Sequence, residues 1–499
     1  MVPMADGVKL YTRAIVPGTS GKFPCVFQRT PYPGADDMKV PYPASAAQGN
    51  TYVKRGYVAV TQHCRGFGRS EGFCRVYEER EDGLATLEWI RRQPWYNGEI
   101  FLVGASYTTS VHLLYLSVEP PDIKGAALSI QTDRMYFRNY RNGCNYAVCN
   151  VDWLRYMMKR QYPDARSVRS ALRRPYADIA KRIFGEDVPK YTGFLMHTEY
   201  DDFWKNDPRT DVMNHIKFPV LLQEGLYDFY IEGMTSMWER MLPEWKAKSI
   251  FVLKPNGHGS KALKDTPIPS AHDDPGLSDV DFFDSIRKGH HSLPVGKVIC
   301  HSIGADAWQT NVWPAVVGYH TLNFPTGERS WIYDPRGPRI PNMADGRCQQ
   351  VWQAGSRTDA TEFVSAPFDR EVSFFGKPCV RMPVKSDCED TQFFVRIDLV
   401  SPEGSAWNIC QTIASLRNRK PNYRPGEVVD IELEFPLTAF TVKPGWAVRL
   451  DVCSDGGVYV QHANVVKHWA LVTDDEVRVA HNAIAPGEVT LKLPMTSEP

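Results

Sequence analysis

The sequence predicts a mixed α/β protein: a parallel sheet with flanking helices, interrupted by a helical insertion and followed by an all-β sandwich of jelly-roll type. Three observations carry this. Short apolar runs alternate with a helical period through the first 132 residues. Strand signals vanish between Asp133 and His215, and beyond about residue 295 short alternating segments are broken by Gly and Pro.

Taken in order, Val8 to Ala14 alternates like a strand, Pro17 to Lys22 reads as a turn, and Pro24 to Gln28 is a second strand running into Arg29-Thr-Pro-Tyr32. Gly56 to Gln62 is a third strand. It enters the glycine-rich stretch His63 to Gly72, which lacks a Gly-Lys-Ser and so reads as a tight loop, not a phosphate cradle. Leu84, Leu87, Trp89 and Ile90 stand among charges at helical spacing. Ile100-Phe-Leu-Val103 is an apolar run of the kind a buried parallel strand shows, followed at once by Gly104-Ala-Ser106 and a helix to about Val118 that Pro120-Pro121 ends. Gly125 to Ile130 is the next strand. The stretch rich in Arg, Tyr, Trp and Met that follows suits a cap of helices, and the sheet resumes at Phe218 to Gln223 and Ser249 to Leu253. Later strands include Gln392 to Val400 and Ala447 to Val452, separated by Pro-Gly and Pro-Glu-Gly turns. The expected division is therefore a sheet domain over residues 1–132 and 216–294, a cap over 133–215 and a sandwich over 295–499.

At 499 residues the chain exceeds one core, in line with about three domains at roughly 100 to 200 residues each. Its 58 basic and 58 acidic residues balance without long like-charge blocks, which disfavours nucleic acid or an anionic membrane as partner and makes a neutral small molecule or peptide the expected substrate. Eleven cysteines with no C-x-x-C pair point to free thiols in a reducing compartment. The amino-terminal residues show no signal-peptide pattern and no run of 18 apolar residues occurs, so a cytoplasmic location is expected. Open β edges leave room for a homodimer.

Strand, Gly-x-Ser, helix is the context in which a serine is held on a strained turn with its hydroxyl exposed. A serine hydroxyl needs an imidazole to take its proton and a carboxylate to orient the ring. In a sheet of this kind the acid and then the base follow the serine, each just after a strand. Asp228 and His258 occupy those two places. Of the thirteen histidines, His258 alone follows a strand after both the serine and a well-placed acid; His112 lies on the serine helix, His272 in an Asp-rich loop and His290-His291 at a domain junction. Glu224, Asp201 and Asp202 are fallback acids. The tetrahedral intermediate also needs donors for its oxygen. The backbone N–H of Tyr107 supplies one, and the phenol of Tyr32, at the end of the second strand, is suitably placed for another, though a Pro-Tyr pair also serves packing. Trp153, Tyr156, Phe203 and Trp204 are candidate pocket walls or cap core. No metal set is present, since His63 with Cys64, or Cys144 with Cys149, lacks a matching second pair; no dinucleotide fingerprint follows a strand, and no cofactor is implied.

Together these residues resemble the cocaine esterase/X-Pro dipeptidyl-peptidase (CocE/NonD) hydrolases. The likeness runs through Arg29-Thr-Pro-Tyr32, Arg65-Gly-Phe-Gly-Arg-Ser-Glu-Gly72, Gln93-Pro-Trp95, Gly104-Ala-Ser-Tyr107, Asp202-Phe-Trp204, Tyr227-Asp228 and Gly257-His258, and continues in the β region through Ala307-Trp308 and Lys443-Pro-Gly445. The resemblance implies an α/β-hydrolase core with a helical cap and a jelly roll. It puts a triad on Ser106, Asp228 and His258, and gives Tyr32 the oxyanion role beside the Tyr107 amide. Three departures stand out: Thr109 replaces a glycine behind the serine, His63 an aspartate before the Arg-Gly loop, and Asn256 a tryptophan near the histidine. Phe229-Tyr-Ile231 also lacks the carboxylates with which amino-acid ester hydrolases of this group hold a substrate ammonium.

The expected activity is cleavage of carboxylic esters, or amides, through an acyl-enzyme. Two readings compete with it. One is a peptidase or acylase of the same family, with Glu199, Asp201 and Asp202 available to hold an amino terminus. The other is an inert core beside a glycan-binding jelly roll.

Overall fold

The structure is a computed structural model that describes residues 1–32, 51–146, 151–258, 276–289, 293–305, 307–313, 316–337, 351–353, 359–456 and 459–496. His272, His290, His291 and Cys149 lie outside the described residues.

Nine strands form the central sheet: β1 (Thr12–Ile15), β2 (Phe23–Thr30), β3 (Val58–His63), β4 (Tyr96–Ala105), β5 (Ile123–Ser129), β6 (Val220–Gly225), β7 (Ile250–Lys254), β8 (Lys297–Ser302) and β9 (Ala307–Asn311). Across the sheet they run β9-β8-β7-β6-β5-β4-β2-β3-β1. All neighbours are parallel except the two edge pairs, β1 with β3 and β8 with β9. The central strands are apolar on both faces because helices cover both. Phe27, Leu102, Leu128, Leu222 and Phe251 are fully shielded from water, each burial contributing about 2 kcal/mol.

Helix α1 (Arg80–Arg91) covers one face with Leu87 and Ile90 turned inward. Helix α2 (Tyr107–Leu116) is buried on every side, all ten residues included, which explains why its sequence shows no polar stripe. Two strands fall on the far side of the residue-294 boundary read from the sequence. β8 pairs in parallel with β7 and β9 folds back on β8, so the chain to Asn311 extends the sheet before the β sandwich begins. Nothing local marks Lys-Val-Ile-Cys-His-Ser as a parallel edge and not a sandwich strand.

Between β5 and β6 the chain leaves the sheet as short helices, among them Val151–Met157, Ile179–Phe184, Pro189–Met196 and Asp202–Lys205. One strand pair occurs among them, Tyr140–Arg141 with Cys144–Asn145. These helices share an aromatic core of Tyr191, Phe194, Leu195 and Trp204 with Tyr77 and Tyr107 of the sheet domain.

The carboxyl-terminal strands make a jelly-roll sandwich of an eight-stranded and a five-stranded sheet. Val429–Glu434 alternates buried and exposed along its length, as a strand with one solvated face must, whereas Gln392–Val400 is buried throughout except at its last residue. The sandwich is tied to the hydrolase sheet at Ile303, which exchanges backbone hydrogen bonds with Ala439 and Thr441 at 3.0 and 2.7 Å.

Candidate active site

Strand β4 ends at Ala105 and helix α2 begins at Tyr107, leaving Ser106 alone to make the turn at φ 54° and ψ −127°. Only a strongly determined backbone keeps a non-glycine residue there. The Ser106 amide donates to Ser129 O at 3.0 Å, and the Ser106 carbonyl accepts from Thr109 and Ser110. Gly104 permits the turn, since a Cβ there would lie 2.6 Å from Thr108 O and from Thr109 N. The result presents the serine hydroxyl at the carboxyl edge of the sheet.

The loops after β6 and β7 bring the other two groups. Gly225 lets them touch: a Cβ at this position would meet Asn256 O at 2.2 Å. Leu226 and Tyr227 donate backbone hydrogen bonds to Lys254 at the end of β7 and to Asn256 of the loop after it. His258 Nε2 lies 3.0 Å from Ser106 Oγ and His258 Nδ1 lies 2.8 Å from Asp228 Oδ2. Because an ionised carboxylate only accepts, Nδ1 carries the proton and Nε2 is left to accept from the serine. Asp228 is fully buried at its side chain, and its Oδ1 accepts from the Tyr230 amide at 2.9 Å. Phe229 stacks on the imidazole at 4.6 Å between centroids and fixes the ring plane.

Glu224 stands immediately behind this pair, with Oε1 accepting from the Gly225 amide. Burial, and then the neighbouring Asp228, push its carboxyl well above the usual range, and the carboxylate that reaches the histidine is that of Asp228.

As the first residue of α2, Tyr107 has an amide without an intrahelical acceptor, at the positive end of the helix and next to the serine. Its phenol points the other way, donating to Glu79 Oε2 at 2.5 Å and accepting from the Tyr77 amide at 3.0 Å. Tyr32 stands beside Trp153, whose Nε1 donates to the Tyr32 hydroxyl oxygen at 3.0 Å. Burial drives the Tyr32 phenol upward, so it keeps the proton that a donor requires. The Arg-x-Pro-Tyr motif has its own logic. Arg29 is fully buried, donating to Gln62 Oε1 at 2.9 Å and to Glu79 O at 3.1 Å, and so anchors the strand end from which Tyr32 departs.

Ser106 and His258 open into a cavity of about 690 Å³ between sheet and cap. Trp153 lines it, together with Tyr77, Met135, Arg138, Tyr191 and Phe194. The other three aromatic residues read as walls stand elsewhere. Trp204 is the layer behind Phe194, stacked on it at 5.4 Å and held by a hydrogen bond from its Nε1 to His197 O. Phe203 stacks on His197 at 4.3 Å, and Tyr156 is 37% exposed, lying over Tyr32 at 6.2 Å. Among the described residues none of the sandwich lines this cavity; the sandwich meets the sheet domain at a smaller one of about 80 Å³, where Asn408, Cys410 and Gln411 face Tyr227 and Asp228. Asn256 is buried with its Oδ1 unpartnered and is not on the large cavity's wall.

A serine on a strained elbow, an imidazole at hydrogen-bonding distance and a buried carboxylate behind it can generate an alkoxide-like nucleophile and shuttle its proton. Residues 6–260, just over half of the chain, match the family described as X-Pro dipeptidyl-peptidase (S15 family). The chain belongs to the S15 family. Residues 245–484 of this S15 chain match the X-Pro dipeptidyl-peptidase C-terminal non-catalytic domain. It is 22% identical to cocaine esterase of Rhodococcus sp. (strain MB1 Bresler), an alignment covering 91% of this chain and 90% of that protein. Two solved structures share its fold over 99% of its length and 95% of theirs: an aminopeptidase from a Thaumarchaeota archaeon (20% identity, TM-score 0.82) and an alpha-amino acid ester hydrolase (19% identity, TM-score 0.83). The S15 chain is a serine hydrolase.

Glu79 and Arg138 are the members of this site that sequence reasoning passed over. Glu79 lies in an acidic run, Glu78-Glu-Arg-Glu-Asp82, that reads as a solvated helix start; Arg138 lies in a cap segment crowded with arginines. Among the described residues no helix is long and apolar enough to cross a membrane.

Proposed function

We propose that the protein hydrolyses carboxylic esters through an acyl-enzyme on Ser106. The observation that carries this reading is the line Ser106–His258–Asp228 at 3.0 and 2.8 Å, with the serine held at positive φ. His258 takes the serine proton as Oγ attacks the carbonyl carbon, then passes it to the departing alkoxide. A water enters, gives its proton to the same nitrogen, and attacks the acyl carbon; Ser106 leaves with the proton returned. Asp228 holds the ring and offsets its positive charge. The Tyr107 amide and the Tyr32 hydroxyl receive the oxyanion.

Turnover of phenyl butyrate and labelling by a fluorophosphonate test the proposal, both being lost in Ser106→Ala. Labelling that persists in this variant would move the nucleophile elsewhere, and a wild-type protein that neither labels nor turns over would be an inert scaffold. The peptidase reading is weaker because Glu199, Asp201 and Asp202 stand off the cavity: Asp201 caps the helix Asp202–Lys205 and pairs with His197, while Glu199 and Asp202 are exposed. Release of anilide from an Xaa-Pro anilide faster than phenol from the ester would reverse that order.

The nine described cysteines are free, which fits a reducing, cytoplasmic setting. A homodimer is tested by light scattering in solution.

A further inference from the structure

Among the described residues seven arginines are deeply buried, and six of them follow one rule. Arg29, Arg65, Arg141, Arg209, Arg396 and Arg449 each have a carboxylate within ion-pair distance. The seventh, Arg138, does not. It is 4% exposed, its Nη1 is shielded from water without a hydrogen-bond partner, and no Asp or Glu among the described residues pairs with it. A guanidinium cannot shed its charge at any ordinary pH, so burial without an anion is a standing cost. Aromatic rings offset part of it: the guanidinium carbon lies 4.0 Å from the Phe229 centroid, 4.7 Å from Tyr146 and 5.5 Å from Tyr230. The Tyr230 hydroxyl also accepts a hydrogen bond from the guanidinium, but these neutral partners attract a cation weakly and leave Nη1 unanswered.

Arg138 lines the cavity into which Ser106 and His258 open. The Phe229 ring that stacks on the catalytic imidazole is the same ring the guanidinium covers, so the cation stands one aromatic ring away from the reacting centre. The other charged residues on the wall outside the triad, Arg75, Glu78, Asp152 and Lys190, are two of each sign at exposed or half-exposed positions, where water screens them. At depth the uncompensated charge is positive.

We infer that Arg138 is a specificity residue, and that the preferred substrates are esters bearing a free carboxylate a few atoms from the scissile carbonyl, which the Arg138 fork receives as the ester carbonyl reaches Ser106. This rests on the ester-hydrolase reading above. A single buried guanidinium matches the single charge of a carboxylate better than a doubly charged phosphate. It also replaces the neutral substrate expected from the chain's balanced composition, because the wall charge that matters is local and not the sum.

Two matched pairs of esters test the inference, with acid release followed by pH-stat: monomethyl glutarate against methyl valerate, which puts the carboxylate in the acyl part, and 4-carboxyphenyl butyrate against phenyl butyrate, which puts it in the leaving group. The wild type should favour the carboxylate in at least one pair by kcat/KM. Arg138→Met should reduce that preference ratio on the order of 10²-fold, with Arg138→Lys in between. Preference for the neutral ester in both pairs, or a ratio that survives in Arg138→Met, overturns the inference while leaving the esterase reading intact. Should Arg138→Met fail to fold, glutarate binding to the wild type by calorimetry, weakened in Arg138→Lys, decides the matter; absence of binding overturns it. Failure of the esterase reading is separate: it appears as lack of fluorophosphonate labelling and of phenyl butyrate turnover.

Discussion

The Tyr107 hydroxyl donates to Glu79 Oε2 at 2.5 Å on the side of the residue opposite its amide, so the residue that follows Ser106 is held at its far end by a buried carboxyl. Glu79 is 1% exposed, and its Oε1 is shielded without a partner. That second oxygen is where a proton can sit. Burial, set against the attraction of Arg29, raises the Glu79 carboxyl to about 7.

The sign of the consequence follows from which state holds the proton. Between the ordinary carboxyl value of 4.5 and about 7 the folded protein binds a proton that the unfolded chain has lost, so stability falls as pH rises through that window. The contribution is up to ~3 kcal/mol. Glu79→Gln keeps the shape and removes the titration. Thermal midpoints at pH 5 and pH 8 should therefore drop further in the wild type than in the variant; parallel drops would mean that Glu79 does not carry the proton.

Tyr32 and Trp153 should act as one unit. Tyr32→Phe deletes the hydroxyl and is expected to lower kcat on the order of 10²-fold with KM little moved. Trp153→Phe preserves an aromatic wall but removes the indole N–H that donates to Tyr32 at 3.0 Å, and should cost less, about 10-fold. In the Tyr32→Phe background the second substitution should add almost nothing, because the bond it breaks is already gone. Additive losses in kcat would show that Trp153 acts on substrate directly and not through the phenol.

Much of this site could be read from the chain because its signals are local. Ser106, Asp228 and His258 each follow an apolar run by a few residues, and parallel sheets deliver such positions to one edge. The strands Lys297–Ser302 and Ala307–Asn311 could not be assigned in the same way, since their membership of the sheet is decided by pairing with β7 and not by their own residues. Trp153 and Trp204 present a similar difficulty. Both sit in short aromatic helices, and only packing, of Trp153 against Tyr77 and Tyr107 and of Trp204 against Phe194, makes one a cavity wall and the other the layer behind it. Arg138 is the extreme case: arginine is a surface residue by default, and its burial against Phe229 is set by elements far away in sequence.

Tyr227 links the acid loop to the sandwich. Its hydroxyl donates to Asn408 O at 2.9 Å in a buried setting, one residue before Asp228. Tyr227→Phe leaves that carbonyl with one donor fewer and should lower stability by about 1 kcal/mol. If the sandwich steadies the triad through this bond, kcat falls several-fold while KM holds, and the loss grows with temperature. A variant with a lowered melting midpoint and unchanged kcat would confine Tyr227 to a structural role.

Thr109, at the position where the family resemblance implies a glycine, does more than fill space. It is fully buried, and its Oγ1 donates to Ser129 O at 3.1 Å and accepts from Ser129 N at 3.2 Å. The same Ser129 carbonyl accepts the Ser106 amide at 3.0 Å, so one residue at the end of β5 receives both the elbow and the helix behind it. A glycine could approach the strand more closely but would offer no hydroxyl, and would loosen the first turn of α2. Thr109→Gly should therefore destabilise by about 2 kcal/mol, of which only a few tenths are helix propensity and the rest the hydroxyl's lost bonds to Ser129. Thr109→Ser keeps the hydroxyl and should recover most of the loss, because the methyl group contributes only packing. The expected order in thermal midpoint is wild type, Thr109→Ser, then Thr109→Gly, with kcat following the same order as the serine turn loses its support. A glycine variant as stable as the wild type would mean that the helix closes onto the strand in compensation, and that the hydroxyl bridge replaces close packing without adding to it.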